Sequence, residues 1–169
     1  MAQQPSPLRI IPIGGVGEIG KNMTLFEYEN EGIIVDTGIM FPENDMLGID
    51  YIIPDFRYLV DRQDELRIHG IVITHGHEDH TGAIAHVLDQ IDAPVYATAL
   101  TAGLLEVKML QRGHEKHPLH VFQAGDVLEL GPFNVETFHV CHSIPDSVGL
   151  GIDTPVGLVV HSGDFKFDH

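Results

Sequence analysis

Four side chains able to hold a metal ion, His75, His77, Asp79 and His80, fall within six consecutive residues of the stretch 71–82, IVITHGHEDHTG. They follow a short apolar run, so all four leave the end of one predicted strand together. In an extended segment, residues two apart point to the same side. His75 and His77 can therefore close on one cation, while the turn through Glu78 sends Asp79 and His80 towards a second. Neutral imidazoles with a carboxylate, and no thiolate in the loop, suit zinc first, with manganese or iron as alternatives.

Three further residues stand where distant strands would end. His142 leaves a predicted strand and can complete a three-imidazole set around the first cation. Asp164, in Gly163-Asp164-Phe165-Lys166, is the candidate second carboxylate, whose two oxygens could bridge cations about 3.5–4 Å apart. Asp36 closes its own strand before Thr37-Gly38, placed to accept a hydrogen bond from a ligating imidazole and so fix its tautomer; a plain turn former is the competing reading. Cys141 should point away from His142 and reads as a small buried apolar residue. His114, His117 and His120 lie in a charged, proline-containing connection and are read as solvated, and His139 and His161 as structural.

The elements that must position these residues alternate between the two periodicities. Strands are expected at 8–13, 23–28 and 32–36, followed by an irregular loop over 41–54. Phe56, Leu59, Val60 and Leu66 predict a short helix ending near His69-Gly70. Ile84, Val87, Leu88 and Ile91 predict a helix starting at about His80, and Leu100, Leu104, Val107 and Leu110 another, ended by Gly113. Strands follow at 94–97, 119–123, 127–130 and 133–140, with a last hairpin of 148–153 and 157–162. The glycine-rich GGVGEIGKN, 14–22, is not a GxGxxG turn feeding a helix, so no nucleotide cofactor is expected. A structural hairpin and a loop offering N–H groups to phosphate both remain open for it.

The 169 residues suffice for one domain, read as a flexible leader at 1–7 and a domain over 8–169. No apolar run reaches the ~20 residues of a membrane helix, the N-terminus lacks a signal-peptide pattern, and the single cysteine fits a reducing compartment. A cytoplasmic location without membrane contact is the expectation. Acidic residues outnumber basic ones 25 to 9, a formal charge of −16 that argues against a basic surface for gripping nucleic acid. A polyanion would need a local positive site, which two divalent ions could create, offset by an ionised Asp36.

The HxHxDH pattern resembles the signature of the metallo-β-lactamase fold. GGVGEIGKNM (14–23), FPENDMLGID (41–50), THGHEDHTGA (74–83), HSIPDS (142–147) and GDFKFD (163–168) are together similar to the ribonuclease J family. The resemblance implies an α/β (α+β) fold, the first half of an αββα sandwich, with a mostly antiparallel or mixed sheet and helices on one face. The β-CASP domain and the second half would be absent. The sheet's other face would then be apolar and exposed, which favours a homo-oligomer.

The activity implied is that of a zinc-dependent ribonuclease of RNA processing and decay, both endonuclease and 5′-to-3′ exonuclease, with RNA as substrate and hydroxide attacking the phosphodiester between two ions. Carried over, His75, His77 and His142 hold one metal and Asp79 and His80 the other. Asp164 bridges, and Asp36 supports from behind, with Asp79, His80 and Asp36 as the catalytic group. Zinc is the expected ion and manganese the alternative. The chain alone is expected to be weakly active or inactive. The alternatives are a small-molecule ester or thioester hydrolase of the same superfamily, and a non-catalytic assembly fragment.

Overall fold

The computed structural model describes residues 6–43 and 45–167; residues 1–5 of the expected leader, Asn44, and 168–169 lie outside the described residues. The first sheet opens with the meander β1 (Leu8–Gly14), β2 (Met23–Tyr28) and β3 (Glu31–Val35). It continues through α1 (Arg57–Val60), β4 (Arg67–Val72), α2 (Glu78–Thr81), α3 (Ile84–Leu88), β5 (Val95–Thr98), α4 (Ala99–Gln111) and β6 (Leu119–Phe122). Its six strands lie in sequence order, β1 and β2 antiparallel to their successors and β3 to β6 parallel. A second sheet, ordered β10-β9-β8-β7, is antiparallel throughout and comprises β7 (Val127–Leu130), β8 (Phe133–His139), β9 (Val148–Thr154) and β10 (Gly157–His161).

The central strands are apolar on both faces, as strands covered from two sides must be. In β3, Ile34 joins Leu25, Ile71, Ile84, Val87, Leu105 and Met109 in the core beneath the helices. Its neighbours Ile33 and Val35 face the other way, with Phe26 and Val72, onto Phe133, Val135, Leu150 and Ile152 of the second sheet. The layers are therefore helix, sheet, sheet, with helices on one face of a mixed sheet.

The expectation of one sheet with a bare face is overturned. After β6 pairs parallel to β5, the turn Ala124-Gly125-Asp126 diverts the chain out of that sheet. Gly125 sits at φ +100°, a conformation open mainly to glycine, and Asp126 and Thr137 satisfy the turn's backbone through Gln123. The next four strands then pair among themselves and cover the face. Exposed apolar surface lies instead on the outer side of the edge strand β10, where Leu158 and Val160 are 66% and 63% accessible.

Two helical expectations also change. The segment after Pro54 makes only the single turn α1, and His69-Gly70 lie inside β4, because parallel pairing with β3 begins at Arg67. In α4 the buried residues are Thr101, Ala102, Leu105 and Met109, whereas Leu100, Leu104, Val107 and Leu110 face outward. Two of these buried side chains, Thr101 and Ala102, are small.

Candidate metal centre

Four strand ends converge on one end of the sandwich. The parallel strands β3 and β4 deliver Asp36 and the 74–80 loop at their carboxyl ends, where open α/β sheets form ligand sites. The second sheet contributes His142 beyond β8 and Asp164 beyond β10. Backbone bonds lock these segments together: Thr37 N–H donates to His80 O at 2.8 Å, Ile39 N–H to Glu78 O at 3.1 Å, and Asn22 N–H to Asp79 O at 3.1 Å. Val148 N–H donates to Thr74 O at 3.0 Å, and Lys166 N–H to Cys141 O at 2.7 Å, which joins the second sheet to the loop and the two second-sheet exits to each other. At Gly38 a Cβ would lie 1.6 Å from Asp79 O, so only glycine lets the 36–39 and 78–80 segments meet.

His75, His77 and His142 form one cluster. His77 Nδ1 lies 3.1 Å from His75 Nε2 and 3.2 Å from His142 Nε2, and the rings of His75 and His142 are 4.7 Å apart. Burial pushes His75 down to about 4 and lowers His142 as well, so both rings are neutral near pH 7. Three imidazole nitrogens aimed at one point can share only limited hydrogen bonding among themselves. A cation accepting three lone pairs fits that donor set, and three imidazoles are a zinc-type arrangement.

The second cluster joins His75, His80 and Asp164. Asp164 Oδ2 stands 3.6 Å from His80 Nε2 and 3.8 Å from His142 Nε2, between the two groups, and Asp79 Oδ2 is 3.7 Å from His80 Nε2. Asp36 is buried and its Oδ2 accepts from His80 Nδ1 at 2.7 Å. Burial acts to raise the Asp36 carboxyl, but the His80 ring, His161 and the Thr74 N–H together hold it below its usual range. Burial likewise opposes charge on His80, yet Asp36 first, then Asp79 and Asp164, raise this imidazole to about 9. A proton thus sits on His80 where its acidic neighbours favour positive charge, the same condition that favours a metal ion.

Of the residues expected at the site from sequence, the structure brings together His75, His77 and His142, and His75 with His80 and Asp164, while Asp36 and Asp79 lie against His80. Sequence reasoning missed two more. The Asn22 side-chain amide donates to Asp79 O at 3.1 Å and lies 3.2 Å from His80 Nε2; its place at the end of the glycine-rich turn was the available signal. Thr74, fully buried, bonds to both Asp36 and His75; nothing in the spacing marks it. A polar cavity of about 310 Å³ lined by Asn22, Asp36, His80, His161 and Asp164 opens beside the second cluster. The larger groove, about 520 Å³, lies at the opposite end of β4 around Arg67 and holds no such cluster.

Comparison with known proteins agrees with this architecture. The family model described as the metallo-beta-lactamase superfamily matches residues 16–169. Ribonuclease J 2 of Staphylococcus aureus is 46% identical over 95% of the chain, and that of Staphylococcus saprophyticus 45% over the same share. The chain spans 29% of the length of these relatives. Among solved structures, a protein of unknown function from Enterococcus faecalis superposes with a TM-score of 0.74 at 20% identity, covering 94% of this chain and 44% of its own. The metallo-beta-lactamase fold protein YhfI from Bacillus subtilis gives 0.66 at 16%, covering 96% and 64%.

Proposed function

The chain belongs to the metallo-beta-lactamase superfamily, and from that premise we propose that it is the ion-holding part of a metal-dependent ribonuclease. The observation that carries the reading is the convergence of His75, His77 and His142 beside His80 and Asp164, in a chain 46% identical to a ribonuclease J relative. His75, His77 and His142 would hold one divalent ion and Asp79 and His80 a second, with Asp164 shared between them. Zinc is the ion the donor set favours, and manganese the alternative. When bound, such ions neutralise phosphodiester charge and make water nucleophilic near neutral pH.

The chain's own residues prepare the site. His75 and His142 stay neutral and keep their lone pairs available, and Asp36 turns the Nε2 of His80 towards Asp79 and Asp164. Asn22 clamps the backbone of Asp79. With a chain charge of −16, attraction of RNA must be local to this site. Endonuclease and 5′-to-3′ exonuclease activity both belong to the proposal, as does a cytoplasmic location. No helix among the described residues is long and apolar enough to cross a membrane. Self-association through the apolar outer side of β10 completes the reading.

The test is cleavage of 5′-labelled RNA with added zinc or manganese, using this chain and whatever longer product the reading frame encodes beyond His169, each beside its Asp79→Ala variant. The 169-residue chain is expected to cut weakly or not at all. A longer product should cut in a metal-dependent, Asp79-dependent reaction. RNA left intact by every encoded product, with hydrolysis of a small ester or thioester instead, overturns the ribonuclease reading.

A further inference from the structure

Between the two ion-holding clusters runs a continuous line of buried hydrogen bonds. His80 Nδ1 meets Asp36 Oδ2 at 2.7 Å, Asp36 Oδ2 meets Thr74 Oγ1 at 2.9 Å, and Thr74 Oγ1 meets His75 Nδ1 at 3.0 Å. All four residues are at most 3% accessible. A hydroxyl has one proton to give, and an ionised carboxylate can only accept. Asp36 accepts from Thr74 N–H on Oδ1 at 2.8 Å and from His80 Nδ1 on Oδ2 at 2.7 Å, so both of its oxygens stand as acceptors where the hydroxyl meets them. The Thr74 proton therefore goes to Asp36, and towards His75 the hydroxyl oxygen can only accept. His75 must then carry its proton on Nδ1 and present a bare Nε2 to His77 and His142.

We infer that Thr74 is a positioning residue that sets the tautomer of His75 and ties it, through Asp36, to His80. Without the hydroxyl, the His75 Nδ1 proton loses its acceptor. The 3.1 Å contact between His75 Nε2 and His77 Nδ1 then draws the proton to Nε2, onto the lone pair a cation needs. The same residue's carbonyl accepts from Val148 N–H, so Thr74 also anchors the start of β9 to the loop. The inference rests on the metal-holding part of the proposed function and is indifferent to whether RNA is the substrate.

The primary test needs no metal. Long-range ¹⁵N–¹H spectra of the chelator-treated protein should show His75 as the Nδ1–H tautomer. The near-isosteric Thr74→Val should shift it to Nε2–H, and Thr74→Ser should restore Nδ1–H. In chelator competition, zinc affinity should fall about 10–100-fold in Thr74→Val, the usual scale for losing such a supporting bond, and stay near wild type in Thr74→Ser. A wild-type His75 protonated on Nε2 overturns the inference even where Thr74→Val fails to fold, as does a folded Thr74→Val that keeps Nδ1–H and full affinity. Wild type binding no zinc while His75 is Nδ1–H would defeat the metal reading and leave the tautomer assignment standing.

Discussion

Replacing Asp36 with Asn keeps the shape of a buried side chain and removes its charge. In the wild type that carboxylate accepts from Thr74 N–H, Thr74 Oγ1 and His80 Nδ1 at 2.7–2.9 Å, and it is the main cause that raises His80 to about 9. From an ordinary value of 6.5, that rise corresponds to about 3 kcal/mol of preference for the protonated ring in the folded state. The folded value is the higher one, so this stabilisation is fully present below about pH 6.5 and is lost as pH climbs through about 9. His75 and His142, whose values are lowered, act in the opposite sense and only below about 6.5, outside that window. Urea unfolding with chelator present, at steps from pH 6.5 to 9.5, should show the wild type losing about 3 kcal/mol and Asp36→Asn close to flat. Parallel pH profiles for the two proteins would refute the pairing of Asp36 with a protonated His80.

Gly38→Ala places a methyl group 1.6 Å from Asp79 O and should cost at least about 1–3 kcal/mol of stability; elemental analysis should also find less bound metal, because Asp79 and His80 must move. On the other sheet, sedimentation of the wild-type chain should give a mass above that of the monomer. The double variant Leu158→Lys, Val160→Lys should return it to the monomer by placing charge on the edge strand; identical masses for the two proteins would remove β10 as the contact.

The clustering of the 74–80 loop was legible because its signal is local: residue types able to hold a metal crowd together at the end of an apolar run. The strands were legible for a related reason, since Leu25-Phe26 and Ile33-Ile34-Val35 fill both faces of a covered sheet. Which sheet each strand joins was not, because the period of β7 to β10 is the same in either sheet and the choice is made by a three-residue turn around Gly125. The face of α4 misled because that helix is apolar nearly all round, and Leu100, Leu104, Val107 and Leu110 repeat as regularly as the residues actually buried. Thr74 and Asn22 left no spacing to detect, since their importance comes from contacts made across the chain. Asn22 reaches Asp79, 57 residues away, and Thr74 reaches Asp36, 38 residues away.

The distribution of the candidate ligands between the sheets would give a bound ion a mechanical role. His77 belongs to the first sheet's loop and His142 to the second sheet's, 65 residues further along. An ion gripped by both would act as a clasp, closing that span and resisting separation of the two layers. Chelation should therefore loosen the molecule along one seam. Amide exchange should accelerate in β8 to β10, near the clasp, while β2 and β3, held by helices from behind, keep their protection.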